Sequence, residues 1–555
     1  MQKQANNTIE VPYKETKRLS ALIQDYIDQN QTLLPFCEQF FSIENFEKQI
    51  EKKGAFFSNA DRSCLWFSLN TQYFIDRSIS KKEISGAVKN NIEALRDKNT
   101  FTITTGHQLN LFTGPLYFFY KIFSTINLCE SLKEKYPEYN FVPVYWMATE
   151  DHDFEEINHF TSIGKTLTWH DPSSVKNQRG AVGRLPLGIS DKQDLEAINQ
   201  DLQQLLGDHK NAKELQDLFK KAYLSEDADN LAAATFRLVN LLFGDYGLVV
   251  IDADRKHFKE RFIPYLKKEL SDKYTYSKVQ ETNSSLKKLG YKTQVNPREI
   301  NLFYITEGQR NRIEAQGNNF IVSNSSKTWK SLQEIYDEMD SNPERFSPNV
   351  LLRPLYQEVL LPNLAYIGGG GELAYWMQLS STFKKFEVPF PLLGLRDMCL
   401  LSELKVSQKL QKWGGNYSDL FLSEFDLRRK YAHKFSSFPL DFSSTRQLLH
   451  LEFDKLEVLA KKTDASFEGA LKAQRQKQLK GLQVLEKRLE KAQMKQLIQQ
   501  IDAVVAVQKQ LFPNGNLQER SLNFSEFYSC YGKGFLQVLK ANLNPLKQHF
   551  KVIEL

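Results

Sequence analysis

Phe101-Thr102-Ile103-Thr104-Thr105 and, further on, Phe141-Val142-Pro143-Val144-Tyr145-Trp146-Met147-Ala148 bracket the stretch on which the reading of this chain turns. The first run is β-branched and aromatic, the composition of a strand, and Gly106-His107-Gln108 breaks it. Thr113-Gly114-Pro115 opens a helix, with Pro near the first turn, where its missing N–H matters least. Apolar residues at helical spacing carry that helix over 116–135, and Tyr136-Pro137 ends it. The second run is apolar almost throughout, as in a strand buried on both faces. It stops abruptly at Thr149-Glu150-Asp151-His152-Asp153, with Glu155, Glu156 and His159 close behind. Strand, helix, strand of this length is a right-handed parallel crossover. Both strands then end on one edge of the sheet, where open α/β folds bind ligands. Gly106-His107-Gln108 and Glu150-Asp151-His152-Asp153 should therefore meet, although they are far apart in sequence.

Outside this unit, core segments are interrupted twice. The expected division is 1–159 for N-terminal helices and the first half of the core, 160–230 for a first insertion, and 231–276 for the core continued. A second insertion follows at 277–346, the core is completed at 347–398, and 399–555 is helical. Ile84, Val88, Ile92 and Leu95 mark a covering helix before the first strand. Thr166-Leu167-Thr168-Trp169-His170 is a short strand in the first insertion. Leu248-Val249-Val250-Ile251 is a third buried strand, again closed by carboxylates in Asp252-Ala253-Asp254. In the second insertion, strands at 301–306 and 319–323 flank a turn at Glu307-Gly308. Leu364-Ala365-Tyr366-Ile367 is a strand that meets Gly368-Gly369-Gly370-Gly371 and then a helix, and 389–395 is the last core segment. A helix at 399–412 and one long helix within 451–511, with Leu482, Leu485, Leu489 and Ala492 at three-four spacing, suggest a coiled coil ended by Phe512-Pro513.

Length and composition narrow the function. A chain of 555 residues exceeds one ordinary core, so several domains are expected. The 73 basic and 67 acidic residues nearly balance, which calls for no nucleic-acid partner. The basic residues of the long helix, Lys472 to Lys495, read as a solvated face. Five dispersed cysteines fit neither a disulfide framework nor a zinc ribbon, so a reducing cytoplasm is expected. With no apolar signal core and no run of membrane-spanning length, no membrane association is expected.

Three constellations could carry chemistry. His107 can donate to a developing charge or act as a base. Four ionisable residues in succession, Glu150 to Asp153, could orient a substrate amine, hold a divalent metal or supply a base. Asp151 and His152 are, with His107, the catalytic candidates. His152, His159 and a carboxylate are acceptable zinc ligands, but their spacing matches no closed motif, so no residue is assigned to a metal. The glycines Gly368, Gly369, Gly370 and Gly371, with Gly106, could present N–H groups to an anion at a helix N-terminus, and Glu372 could bind a ribose hydroxyl. Gln108, Glu150, Asp153, Asp252 and Trp376 are candidate substrate contacts. The run is neither a Walker loop nor a dinucleotide fingerprint.

Thr105-Gly106-His107-Gln108 with Leu111-Phe112-Thr113-Gly114-Pro115-Leu116-Tyr117, Thr149 to Glu156, Gly368 to Glu372, Leu511-Phe512-Pro513-Asn514-Gly515 and Leu517-Gln518-Glu519-Arg520 resemble, in order, the bacillithiol biosynthesis cysteine-adding enzyme family. One departure is His107, where many members carry Gln. The resemblance implies an α/β fold: a Rossmann-like parallel sheet core with two inserted connecting-peptide modules and a long helical coiled-coil region that pairs subunits into a homodimer. It implies addition of cysteine to the glucosamine of glucosaminyl malate, forming an amide. The architecture is similar to class I aminoacyl-tRNA synthetases and the mycothiol cysteine ligase, which activate a carboxylate as an adenylate. ATP or a related adenine nucleotide is therefore the expected cofactor, with the Gly106-His107-Gln108 loop near it. Their Lys-rich second signature has no counterpart here. Two other readings stand beside this one: a metal-dependent hydrolase using Asp151, His152 and His159, and a non-catalytic coiled-coil dimer with a nucleotide-binding platform.

Overall fold

The computed structural model describes residues 8–76, 83–170, 180–306, 308–317 and 319–555. The deciding stretch forms β1 (Thr100–His107), α1 (Tyr117–Lys135) and β2 (Asn140–Met147). β1 does not break at Gly106. It pairs in parallel with β2 through Gly106 and His107, opposite Trp146 and Met147. Two side chains hold that extension: Thr105 Oγ1 donates to the Ile367 carbonyl at 2.7 Å and Lys121 Nζ to the Gly106 carbonyl at 2.8 Å. α1 starts at Tyr117 because the chain before it is bent, with Phe112 at φ 47° and Gly114 at φ 62°. Asn523 Nδ2 holds this bend by donating to the carbonyls of Phe112 and Gly114.

β3 (Val249–Asp252), β4 (Asn363–Gly368) and β5 (Leu392–Leu395) complete a five-stranded sheet in the order β5-β4-β1-β2-β3, parallel throughout. β1, β3, β4 and β5 are buried along their whole length, as strands covered on both faces must be. The strand order reverses between β1 and β4. This is the switch point outside which a doubly wound sheet opens a crevice.

Between β2 and β3 lie an antiparallel hairpin, His159–Ser162 with Lys165–Thr168, and helices Ile189–Leu206 and Ala212–Phe219. Residues 171–179 of this region, and Glu307 of the turn expected further on, lie outside the described residues. Between β3 and β4 lies a five-stranded antiparallel sheet. Here the expected neighbours Leu302–Thr306 and Asn319–Val322 are separated by an unforeseen strand, Gln309–Gln316. Only Ile313 of that strand is buried, so its sequence carries no apolar alternation. The four glycines are not a loop. Gly368 ends β4, Gly369 caps α2 (Gly370–Met377), and Gly370 and Gly371 lie in its first turn.

Two expectations fail in the C-terminal region. Cys399–Ser402 is a strand, parallel to His549–Glu554, which pairs in turn with Thr8–Pro12. The helix begins only at Leu404. The expected single long helix is α4 (Ser443–Ala460), α5 (Ala465–Gln496) and α6 (Ile498–Leu511), preceded by α3 (Glu424–Phe435). Asp464 accepts from the Ser466 and Phe467 N–H groups and so starts α5 after a turn that folds it back on α4. α3 packs on α5 and α6, around a small core of Leu427, Tyr431, Ile501, Val504 and Val505.

Candidate active site

Two adjoining cavities lie beyond the C-terminal ends of β1, β2 and β4. The first, about 510 Å³, sits at the switch point and is lined by Gly106, His107, Lys121, Glu372, Arg396 and Arg520, among others. The second, about 350 Å³, is lined by Glu150, Asp151 and His152 from the core and by Phe303, Arg310 and Arg312 from the second insertion. Trp146, Ala148, Val350 and Arg353 border both. The predicted meeting of the Gly106 segment with Glu150-Asp151-His152 is thus realised across one shared wall, and Gln108 spans it. Gln108 Nε2 donates to Asp151 at 2.8 Å and to Glu156 at 2.9 Å.

The first cavity is cationic. Buried Lys121 pairs with Glu372 at 2.7 Å. Glu372 also accepts from the Gly369 N–H at 2.8 Å and the Tyr366 hydroxyl at 2.7 Å. Burial opposes its charge, but Lys121, the Gly369 N–H and the Tyr366 hydroxyl hold its carboxyl at about 2. Arg396 is buried, donates to Glu519 at 2.6 Å and to the Asp397 carbonyl at 2.8 Å, and leaves Nε without a partner. Arg353 stands over the rings of Trp146, Tyr366 and Trp376, and its Nη2 is also without a partner. Burial without a hydrogen-bond acceptor is costly for such groups, which marks both as waiting for an acceptor. A phosphate or carboxylate fits that demand.

His107 borders this cavity with its ring against Tyr117 and Phe118. Burial, and then the charge of Lys121, push its imidazole down to about 3. It is neutral at ordinary pH and too weak a base to deprotonate an amine. The glycine run also departs from expectation. Only Gly369 and Gly371 border the cavity, and Gly370 faces Leu19 and Ile23 instead. The Glu372 carboxylate already takes the N-terminal N–H of Gly369, so positive side chains rather than a backbone cradle would hold an anion. Glu372 is committed to Lys121 and Tyr366, not free for a ribose. Trp376 is fully buried beneath Tyr366, stacked at 4.5 Å, and supports the wall without reaching the cavity.

The second cavity pairs an anionic and a cationic face. Asp151 accepts from the His152 N–H at 2.7 Å as well as from Gln108. Burial would raise its carboxyl, but hydrogen bonds from His152 and Gln108 and the charge of Arg310 bring it to about 2. Arg310 is fixed by Ser347 Oγ at 3.0 Å, the Pro348 carbonyl at 2.9 Å and the Phe303 ring at 3.9 Å, and its Nη1 lies 3.1 Å from His152 Nδ1. Glu150 borders the cavity but is held by buried Lys259, which also donates to the Phe346 carbonyl at 2.7 Å. Burial raises the Glu150 carboxyl against the pull of Lys259. Two further candidates, Asp153 and Asp252, also fall outside both cavities. Asp153 is exposed at the start of the turn Phe154–Ile157. Asp252 is buried, accepts from Thr149 Oγ1 at 2.6 Å and lies 3.5 Å from Arg255, so it ties strand ends together.

Among the described residues no group of three or more His, Cys, Asp or Glu side chains is placed to hold a metal ion. His152 faces a guanidinium and His159 Nδ1 lies 3.0 Å from Asn158, which is no zinc geometry. Lys121, Arg310, Arg353 and Arg520 were missed from sequence. Lys121 gave one signal, as a lone cation inside the apolar helix 117–129.

Family models match nearly the whole chain. That of the bacillithiol biosynthesis BshC N-terminal Rossmann-like domain covers residues 7–397, and that of the C-terminal coiled-coil domain covers 399–555. Relatives named "Putative cysteine ligase BshC" include one from Flavobacterium johnsoniae, 48% identical over 98% of this chain and 99% of its own. Others are from Christiangramia forsetii, 45% identical over 98% of each, and Chlorobaculum tepidum, 31% identical over 80% of this chain and 81% of its own.

Proposed function

The chain belongs to the bacillithiol biosynthesis BshC family, and from that premise we propose that it is the ligase that joins cysteine to the glucosamine amine of glucosaminyl malate. The observation that carries the reading is the shared wall of Trp146, Ala148, Val350 and Arg353. It separates a cation-lined cavity from one holding an ionised carboxylate, and an acyl donor and an amine acceptor need such a pair.

A carboxylate is a poor acyl donor until one of its oxygens becomes a leaving group, and an adenine nucleotide supplies that activation when bound. Lys121, Arg353 and Arg396 hold the donor's oxyanions at the switch point, and the unpartnered N–H groups of the two arginines aim the contact. Asp151 holds the acceptor ammonium, fixed by Gln108 and the His152 N–H. Neither Asp151, at about 2, nor His107, at about 3, is matched to deprotonating an amine. The ammonium would first lose one proton to solvent; His152, half-exposed beside Asp151, would then give up its contact with Arg310 at Nδ1 and accept the second proton as the neutral amine attacks, the C–N bond forming as the bond to the activating group breaks.

The same reading makes the protein a cytoplasmic homodimer. α4 and α5 expose Leu448, Leu451, Leu459, Phe467, Val484 and Leu485, an apolar stripe that a second copy would cover. Among the described residues no helix is long and apolar enough to cross a membrane. The test of the activity is turnover: cysteine, ATP and glucosaminyl malate incubated with His152→Ala and wild type. The variant should bind the sugar and lose at least about 100-fold in kcat, the usual worth of general base catalysis. Wild-type turnover in His152→Ala would remove His152 from the mechanism.

A further inference from the structure

Leu517-Gln518-Glu519-Arg520 takes no part in the mechanism above. It lies in the C-terminal domain, yet it is built into the core site. The Gln518 side chain bonds the Leu401 backbone both ways, accepting its N–H at 2.9 Å and donating to its carbonyl at 3.0 Å. Buried Glu519 accepts the Cys399 N–H at 3.0 Å and pairs with Arg396. These bonds fix the turn Gln518–Ser521 against the strand Cys399–Ser402, and Arg520, borne on that turn, borders the core cavity. Its guanidinium stands 5.9 Å from the Tyr117 ring, and among the described residues that guanidinium makes no hydrogen bond or ion pair.

The charges around the cavity show what is missing. Glu372 balances Lys121 and Glu519 balances Arg396. His107 is neutral. Among the described residues neither Arg353 nor the exposed Arg520 has a carboxylate partner, and buried Arg353 Nη2 and Arg396 Nε lack acceptors. A ligand with at least two negative charges would satisfy all of these groups together.

We propose that Arg520 is an anion-binding residue that the C-terminal domain supplies to the core cavity, where with Arg353 it grips an oxyanion of the donor. The shared chemistry is that of phosphate and carboxylate. The proposal rests on the reading of this cavity as the donor site. It gives the C-terminal domain a role beyond pairing subunits, because the donor site is complete only when residues 517–521 are docked.

The test is calorimetric titration of the full chain with inorganic pyrophosphate, ATP and cysteine, in wild type, Arg520→Gln, Arg353→Gln and the double variant. The Arg520 side chain has no protein hydrogen bond to lose, so Arg520→Gln should melt within about 2 °C of wild type. Its affinity for pyrophosphate and ATP should fall about tenfold, the worth of one charge-assisted hydrogen bond, and Arg520→Lys should recover part of that. A loss for cysteine instead would assign the grip to the carboxylate. Arg520 also borders a cavity of about 1300 Å³ between the core and the C-terminal helices. The double variant separates the two sites: less than the product of the single losses places the anion between Arg520 and Arg353. A fully multiplicative loss, or wild-type affinity for all three ligands in Arg520→Gln, overturns the proposal, and ligation that continues there leaves the proposed function standing. Wild type that binds none of the three overturns both.

Discussion

Asp151→Asn exchanges one carboxylate oxygen for an amide nitrogen and tests the acceptor site directly. The carboxylate accepts the Gln108 amide at Oδ2 and the His152 N–H at Oδ1. An amide has one oxygen, so the substituted side chain can satisfy only one of these donors and turns an N–H toward the other. That loses one hydrogen bond, about 1 kcal/mol, and the charge-assisted bond to an acceptor ammonium, about 1.5–3 kcal/mol. Together they amount to roughly 3 kcal/mol, or about 100-fold in kcat/KM. The loss should fall mainly on KM for the amino sugar and leave that for cysteine unchanged. Because hydrogen bonds hold the Asp151 carboxyl at about 2, it is ionised at every usable pH, and the ratio of wild type to variant should stay constant between about pH 6 and 9. The assay is steady-state formation of the amide product, with circular dichroism to confirm the fold. A variant within threefold of wild type, or one whose defect lies in cysteine KM, refutes the placement of the amine at Asp151.

Glu372→Gln strips the partner from buried Lys121. A carboxyl lowered from 4.5 to about 2 contributes roughly 3 kcal/mol, and about 2 kcal/mol after allowance for its partial exposure. That stability is present above the ordinary carboxylate range and is lost as pH falls toward 2, so urea midpoints of wild type and variant should differ at pH 7 and converge below pH 4. His107→Gln should keep most of the activity and the shape of the pH–rate profile. Since the folded imidazole is held at about 3, its contribution is present above about 6.5 and lost as pH falls toward 3, so the variant should resist acid better than wild type by urea melts between those values. Leu451→Glu with Leu485→Glu places charges on the exposed stripe of α4 and α5, and light scattering should then find monomers; an unchanged dimer would put the interface elsewhere.

The elements legible in the sequence were those with one-sided physics. β1, α1 and β2 announced themselves because strands buried on both faces cannot avoid apolar runs, and the crossover rule then placed their ends together. Gln309–Gln316 was hidden because Arg310 lies on the same strand face as the exposed Arg312, Glu314 and Gln316, and the opposite face buries only Ile313. Cys399–Ser402 and His549–Glu554 form a sheet only with each other and with Thr8–Pro12, a pairing across the whole chain that no local pattern encodes. In the site, Asp151 and His152 were found because a charged run follows a buried strand. The cations were not, because Lys121, Arg353, Arg396 and Arg520 come from four separate segments and converge only through topology. Trp376 and Asp252 were over-read for the complementary reason: position at a strand end does not tell whether a side chain faces the crevice or the wall behind it.

The central claim is that an activated cysteine in the cation-lined cavity meets an amine held at Asp151. Its most direct test is mass spectrometry of the full-length protein incubated with ATP, cysteine and glucosaminyl malate. The account predicts the cysteinyl amide of the sugar with AMP in equal amount, and an amide formed about 100-fold more slowly by Asp151→Asn at limiting sugar. Substrates that bind and return unchanged would contradict it.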